Sequence, residues 1–153
     1  MKVSEVVVTW VLIIFVVMVA LSPLLSMRPS RHQRHLASLR EQAALAGMVV
    51  QLQQLPDMPD SGLQPFYSRR RPREDKQPHP NVVYRRTAQG WLIGLREIPP
   101  EVAEPLAAMP EGVSHASASM AGIGVFWDET GNSEDLKLID SQLRRLLGEP
   151  PVS

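Results

Sequence analysis

Residues 6–27 read VVVTWVLIIFVVMVALSPLLSM and contain no charged side chain. A helix rises about 1.5 Å per residue, so this stretch covers roughly 33 Å, close to the bilayer core of about 30 Å. A helix satisfies its backbone hydrogen bonds internally, as a lipid environment requires. Trp10 lies near one end, where an aromatic ring reaches the lipid headgroups. We therefore expect residues 1–27 to form a transmembrane anchor.

Two other interpretations fit a long apolar run. A cleaved signal peptide has a basic start, a short apolar core and a small-residue cleavage site. Here Lys2 is offset by Glu5, and the best such site, Ala20–Ser22, is followed by Pro23. A buried core helix is the other interpretation, but this run is hydrophobic on all sides and lies at the extreme N-terminus. A retained anchor is the preferred interpretation.

The orientation of the anchor follows from the charges that flank it. Basic residues stay preferentially on the cytoplasmic side of a membrane. The N-terminal flank carries Lys2, whereas the C-terminal flank is richer in arginine. Together with Trp10, its arginines form the predicted membrane-interface set: Arg28, Arg31, Arg34 and Arg40. Each arginine near anionic lipid contributes about 1 kcal/mol of attraction. We predict a single-pass membrane protein with its N-terminus outside and its C-terminal domain in the cytoplasm.

The composition of the remaining 126 residues limits what they can form. This length allows one small domain with linkers. The formal net charge of zero gives no overall attraction for nucleic acid, which is therefore not an expected partner. The absence of cysteine excludes disulfides, thiolate zinc sites and a cysteine nucleophile.

Periodicity and turn residues predict the elements of that domain. Apolar residues spaced by three and four predict a basic amphipathic helix ending at Gly47, within a segment assigned to residues 28–47. A strand follows at residues 48–55 and, after an irregular loop at 56–80, a hairpin at 81–96. The loop contains one brief candidate strand, residues 66–68.

The C-terminal half adds two helices and a strand. We expect a short helix at residues 101–109, interrupted by Pro105, and a strand at 123–127. A final amphipathic helix, capped by Asn132 or Ser133, runs to about Leu147. The predicted fold class is α+β: a small domain over residues 48–149 with amphipathic helices packed on an antiparallel sheet.

Few residues suggest chemistry. Asp128 and Glu129 are adjacent carboxylates, but they also suit a turn before a helix. His115 lies beside Ser114 without a nucleophile-elbow motif. The paired histidines at 32 and 35 fall short of the three or four ligands of a typical metal site. We assign no catalytic, cofactor-binding or metal residues and expect no enzymatic activity.

The most basic segment after the anchor is Arg69-Arg70-Arg71-Pro72-Arg73. Its arginines, Arg69, Arg70, Arg71 and Arg73, form a possible interaction site for phosphate groups. Glu74 and Asp75 follow at once and no aromatic residue is interleaved, so an exposed, solvated loop is favoured over RNA binding.

The junction Leu25-Ser26-Met27-Arg28-Pro29-Ser30-Arg31-His32-Gln33-Arg34 resembles the YajC family of accessory subunits of the bacterial Sec preprotein translocase. The resemblance covers about residues 8–50 and implies a membrane helix, a basic helix and a compact β-rich domain. Gly47-Met48-Val49 departs from the Gly-Asp-x-Val step of that family. The layout is also similar to uncharacterised inner-membrane proteins of Gram-negative bacteria. The resemblance implies a role beside the translocase.

These observations lead to one main hypothesis and two alternatives. The main hypothesis is a non-enzymatic membrane protein that contacts lipid and whose cytoplasmic domain binds a protein partner, with the Sec translocase as a candidate. One alternative is a membrane-tethered enzyme that uses Asp128, Glu129 or His115. The other is a membrane-surface binder of lipid or RNA through Arg69–Arg73.

Overall fold

The computed structural model describes residues 2–26, 30–75, 79–94 and 96–149. The chain divides into two compact units, residues 1–35 and 36–153. The first unit contains the apolar N-terminal helix, and the second contains a sheet with its helices. Arg28, one of the predicted membrane-interface residues, lies outside the described residues.

Four helices and seven strands make up the described part of the chain. The helices are α1 (Lys2–Ser26), α2 (Arg31–Leu45), α3 (Pro100–Ala107) and α4 (Ser133–Leu146). The strands are β1 (Val49–Leu55), β2 (Met58–Arg70), β3 (Val82–Thr87), β4 (Gly90–Ile93), β5 (Arg96–Glu97), β6 (Val113–Ser119) and β7 (Gly122–Trp127).

The seven strands form one sheet in the order β1-β2-β7-β6-β3-β4-β5. All neighbouring pairs are antiparallel. The pairs β1–β2, β3–β4, β4–β5 and β6–β7 each join strands that are consecutive in the chain, so four local hairpins combine into the sheet. The predicted α+β class with an antiparallel sheet is confirmed.

One face of the sheet carries the main hydrophobic core. Because side chains alternate along a strand, Ile123, Val125 and Trp127 of β7 all point to this face. Helices α2, α3 and α4 cover it and contribute buried residues to the same cluster, including Leu39, Leu106, Leu136, Ile139 and Leu143. The apolar face predicted for α4 is therefore confirmed.

The β1–β2 hairpin extends beyond strand β7, with which β2 pairs. Only Phe66–Arg70 of β2 pairs with β7, so the rest of the hairpin extends past the sheet. Its tip bends over the second face, where Leu55 and Phe126 are buried. The Phe66 and Phe126 rings pack 4.8 Å apart. The sheet thus has a second, smaller apolar cluster beneath the hairpin.

The structure corrects one prediction and adds one strand. Most of the segment predicted as an irregular loop at 56–80 is strand β2, because Tyr67 and Arg69 alternate inward against the helices. Strand β6 is not among the predicted elements. The predicted amphipathic helix is present as α2, and from Leu36 it belongs to the second unit, where it buries Leu39 and Ala43.

Candidate functional site

Helix α1 is the one helix in the described residues that is long and apolar enough to cross a membrane. Its most apolar window, Glu5–Ser22, has a mean hydropathy of 2.6, and none of it is buried. Trp10 is exposed on this surface. By length, composition and position the helix fits a secretion signal equally well.

The start of α2 presents two arginines of the predicted membrane-interface set. Arg31 and Arg34 are exposed in its first turns. Ser30 caps the helix: its hydroxyl accepts from the Gln33 amide at 3.1 Å, and the Gln33 side chain accepts from the Ser30 amide at 2.9 Å. These two guanidinium groups are therefore held on an ordered helical turn.

Arg40 lies apart from that group and contacts the domain. Its guanidinium donates two hydrogen bonds to the Glu129 carboxylate, each 2.7 Å long. The buried Tyr67 hydroxyl donates to the same carboxylate at 2.6 Å. This three-residue network connects α2, β2 and the loop after β7. Arg40 therefore takes part in the hydrogen-bond network of the domain, with its side chain 41% exposed.

The local chemistry of this network follows from burial. Burial and the hydrogen bond to Glu129 raise the pKa of Tyr67 well above its usual range. The hydrogen bonds to Glu129 raise the pKa of Arg40. A tyrosine held neutral and an arginine held charged are suited to fixing a carboxylate in place, and neither is poised to exchange a proton near neutral pH.

The predicted basic loop is partly internal to the domain. Arg69 is buried, and its Nε lies 2.5 Å from an Asp140 carboxylate oxygen on α4. It also donates to the backbone oxygen of Ala46. The prediction that this segment is exposed is therefore wrong for Arg69.

The remaining arginines of this segment differ in exposure and in the contacts that they make. Arg71 donates to the Ser119 backbone oxygen at 3.1 Å and lies 3.5 Å from Asp75. Arg70 and Arg73 are exposed. The four arginines consequently do not act as one patch, and the possible interaction site is reduced to two of them.

The three residues of the enzyme hypothesis do not lie in one site. Glu129 lies beside Tyr67 on the helix-covered face of the sheet. Asp128 is exposed and accepts from the backbone and hydroxyl of Thr130 at 3.0 and 2.8 Å, which stabilises the turn before α4. His115 belongs to the opposite face, where its ring packs edge-on against Phe126. In the described part of the chain, these three side chains therefore do not form one catalytic site.

His115 is the most unusual titratable group on the second face. It is buried, with Nδ1 lying 3.0 Å from the Ser114 hydroxyl and Nε2 lying 3.6 Å from a carboxylate oxygen of Asp57 at the hairpin tip. Burial lowers its pKa, and Asp57 partly opposes that effect. Within the described residues, no group of three or more metal-ligating side chains is close enough to hold a metal.

Two grooves lie on the surface of the second unit. An apolar groove of about 540 Å³ runs between α2 and α4, with Leu45, Ala46, Met48 and Leu136 along it. Leu45 is 83% exposed at its edge. A second groove, of about 380 Å³, lies on the other face of the sheet, and its lining mixes polar residues such as Gln51 and Ser117 with apolar ones such as Phe66.

Neither groove was predicted from the sequence. Leu45 lies on the predicted helix, but its exposure depends on where α4 packs, which periodicity does not reveal. No protein-family model, curated protein or solved structure matches this chain.

Proposed function

We propose that the chain is a single-pass bacterial inner-membrane protein whose folded domain binds a protein partner and catalyses no reaction. The observation that carries this proposal is α1, whose 18-residue apolar window has no buried side chain. A bilayer removes such a surface from water, and each buried CH₂ group contributes about 0.8 kcal/mol. The positions of Arg31 and Arg34 support a cytoplasmic domain.

The apolar groove between α2 and α4 supports a protein as the partner. The exposed Leu45 lies beside a mainly apolar groove that also carries charged side chains, Lys137, Asp140 and Arg144. An apolar surface bordered by polar residues supports an interaction site. The resemblance of residues 8–50 to the YajC family makes the Sec translocase the first partner to test.

The anchor and its orientation can be tested together. We expect the intact mass of the membrane-extracted protein to include α1, and a fluorescent reporter fused after Ser153 to be active in the cytoplasm. A mass shortened near residue 22 would identify a cleaved signal peptide. An active periplasmic phosphatase fusion would overturn the proposed orientation.

Partner binding can be tested by affinity purification of the full-length chain in mild detergent. We expect a partner that is lost in Leu45→Asp and retained in the matched variant Leu138→Asp, whose exposed leucine on α4 lies outside the groove. Recovery of the chain alone under several extraction conditions would count against the proposal. Equal binding by both variants would exclude the groove.

A further inference from the structure

Strand β1 is an edge strand that lacks the usual protection against pairing. It lies at one end of the sheet order and reads VVQLQQL over residues 49–55. Natural edge strands commonly carry lysine, proline or another charge, or they are very short. The opposite edge follows this rule, because β5 has two residues. Strand β1 has seven residues with neither charge nor proline, and its one register shift lies at its end, between Gln54 and Leu55.

The outer edge of β1 also has its hydrogen-bonding groups available. In an antiparallel strand every second residue directs its N–H and C=O away from the paired neighbour. Within the described residues, β2 is the strand that pairs with β1. Gln51, Leu52 and Gln54 are exposed along it, and Leu52 keeps 54% of its surface in water.

We propose that β1 pairs with β1 of a second copy of this chain, antiparallel, about a two-fold axis at Leu52. A two-fold axis perpendicular to the sheet keeps each face of the strand on its own side. Paired residues in antiparallel strands share a face, so the axis must pass through a residue and not between two residues. The register of β1 with β2 shifts between Gln54 and Leu55, so the regular edge is residues 49–54. An axis at Leu52 pairs residues 50–54 and brings the two exposed Leu52 side chains together.

The sequence of β1 is complementary to itself in this register. Leu52 faces Leu52 of the second copy, and these exposed side chains would remove apolar surface from water. Gln51 faces Gln53 of the second copy on the other face. These two amides already meet within one chain, where Gln53 donates to Gln51 at 2.8 Å. No pair places like charges opposite each other, which would destabilise the contact.

The chosen occupant is a second copy because the edge itself supplies the complementarity. Anchoring by α1 would further confine two copies to one membrane plane, and such confinement raises their effective concentration. The pairing does not depend on which protein the groove between α2 and α4 binds. The two proposals can therefore fail separately.

Cysteine crosslinking of the full-length chain in native membranes tests the register. The natural sequence has no cysteine, so Leu52→Cys is the single thiol in the chain. Residues directly opposite on antiparallel strands have Cβ atoms about 4.5–5.5 Å apart, near the distance that a disulfide spans. We expect Leu52→Cys to form a disulfide-linked dimer under mild oxidation.

Leu63→Cys is the matched control for this experiment. Leu63 is 61% exposed on the same hairpin but lies on β2, away from the outer edge. Dimer formation at position 52 well above that at position 63 supports the proposal. Equal crosslinking at the two positions, or a disulfide from position 52 to a different protein, overturns it.

A charge exchange tests the two-fold axis without relying on oxidation. Leu52→Lys and Leu52→Asp each place like charges at the axis, so each alone should lose dimer by roughly tenfold. Co-expression of the two variants should restore the dimer as a mixed pair. Leu63→Lys should retain it. Failure of the mixed pair to form, with both variants folded, overturns the axis at Leu52.

Discussion

Replacement of Glu129 by glutamine is the most informative test of the polar network inside the domain. Glu129 is 4% exposed, and its two carboxylate oxygens accept three hydrogen bonds from Tyr67 and Arg40. Glutamine keeps the shape of the side chain. It replaces one oxygen by an NH₂ donor, which must then face another donor.

The expected loss of stability follows from how exposed the side chains of Arg40 and Tyr67 are. Breaking a fully buried ion pair costs about 3–5 kcal/mol. The Arg40 side chain is 41% exposed, so water recovers part of this loss. The Tyr67 hydroxyl is buried, and a buried group left without a partner costs about 1–3 kcal/mol. We expect Glu129→Gln to lower the free energy of unfolding by about 2 kcal/mol.

Chemical denaturation of the full-length chain in mild detergent measures this loss. Trp127 packs 5.3 Å from the Tyr67 ring and reports on the site by fluorescence. A Trp10→Phe background removes the signal of α1. Tyr67→Phe should cost about 1 kcal/mol, and less when combined with Glu129→Gln, because the two groups are in contact.

The control is an exposed glutamate that also touches a cation. Glu134 lies 3.0 Å from Lys137, with its side chain 77% exposed. Such surface pairs contribute little, so Glu134→Gln should stay within about 0.5 kcal/mol of the natural chain. A Glu129→Gln midpoint equal to that of Glu134→Gln would refute the inferred stabilising role of the network.

Three further predictions use the same denaturation assay. Arg69→Met removes a buried guanidinium from Asp140 and should cost about 2–3 kcal/mol, whereas Arg70→Met, at an exposed position, should cost under about 0.5 kcal/mol. Gly124→Ala would place a methyl group against the Phe66 ring and 2.8 Å from the Tyr67 backbone oxygen. We therefore expect the free energy of unfolding to fall by about 2 kcal/mol. Burial lowers the pKa of His115, so the unfolded chain binds its proton more readily. The contribution of His115 to the free energy of unfolding should therefore be constant above the ordinary histidine pKa of about 6.5. It should fall as the pH drops below that value. The midpoint should fall more between about pH 8 and about pH 5.5 in the natural chain than in His115→Gln.

The elements with strong local signals were predictable from the sequence. Helix α4 is capped by Asn132, whose side chain accepts from the backbone amides of Glu134 and Asp135 at 2.7 and 3.3 Å. Its leucine and isoleucine spacing then gives the buried face directly. Capping chemistry and periodicity lie within a few residues of each other, so no knowledge of the rest of the fold is needed.

Strand β6 could not be predicted in this way. It reads VSHASAS, and its small and polar residues give little hydrophobic contrast. Ala116 and Ala118 are buried because β7 and β3 flank them and the helices cover that face. The burial is imposed by tertiary context, which overrides local strand preference.

The prediction of an exposed arginine-rich segment is wrong for Arg69 for a related reason. A run of positive charge indicates a solvated loop when its neighbours in sequence are considered alone. The partner of Arg69 is Asp140, which lies 71 residues later on α4. Similarly, Arg40 meets Glu129 across 89 residues of sequence. Composition and spacing cannot pair charges at such separations, whereas strand alternation beside Tyr67 gives a weak signal that Arg69 points inward.

The contrast between arginines paired inside the domain and leucines exposed on its surface determines which variants can separate partner binding from folding. Arg40 and Arg69 hold helices to the sheet, so a loss of binding after their replacement would report lost stability as much as lost contact. Leu45 and Leu52 are exposed, and surface substitutions usually change stability by less than about 0.5 kcal/mol. Binding lost at Leu45 or dimer lost at Leu52 can therefore be attributed to the surface itself. Leu45 and Leu52 are therefore the positions at which a lost interaction can be separated from a lost fold, whereas Arg40 and Arg69 are not.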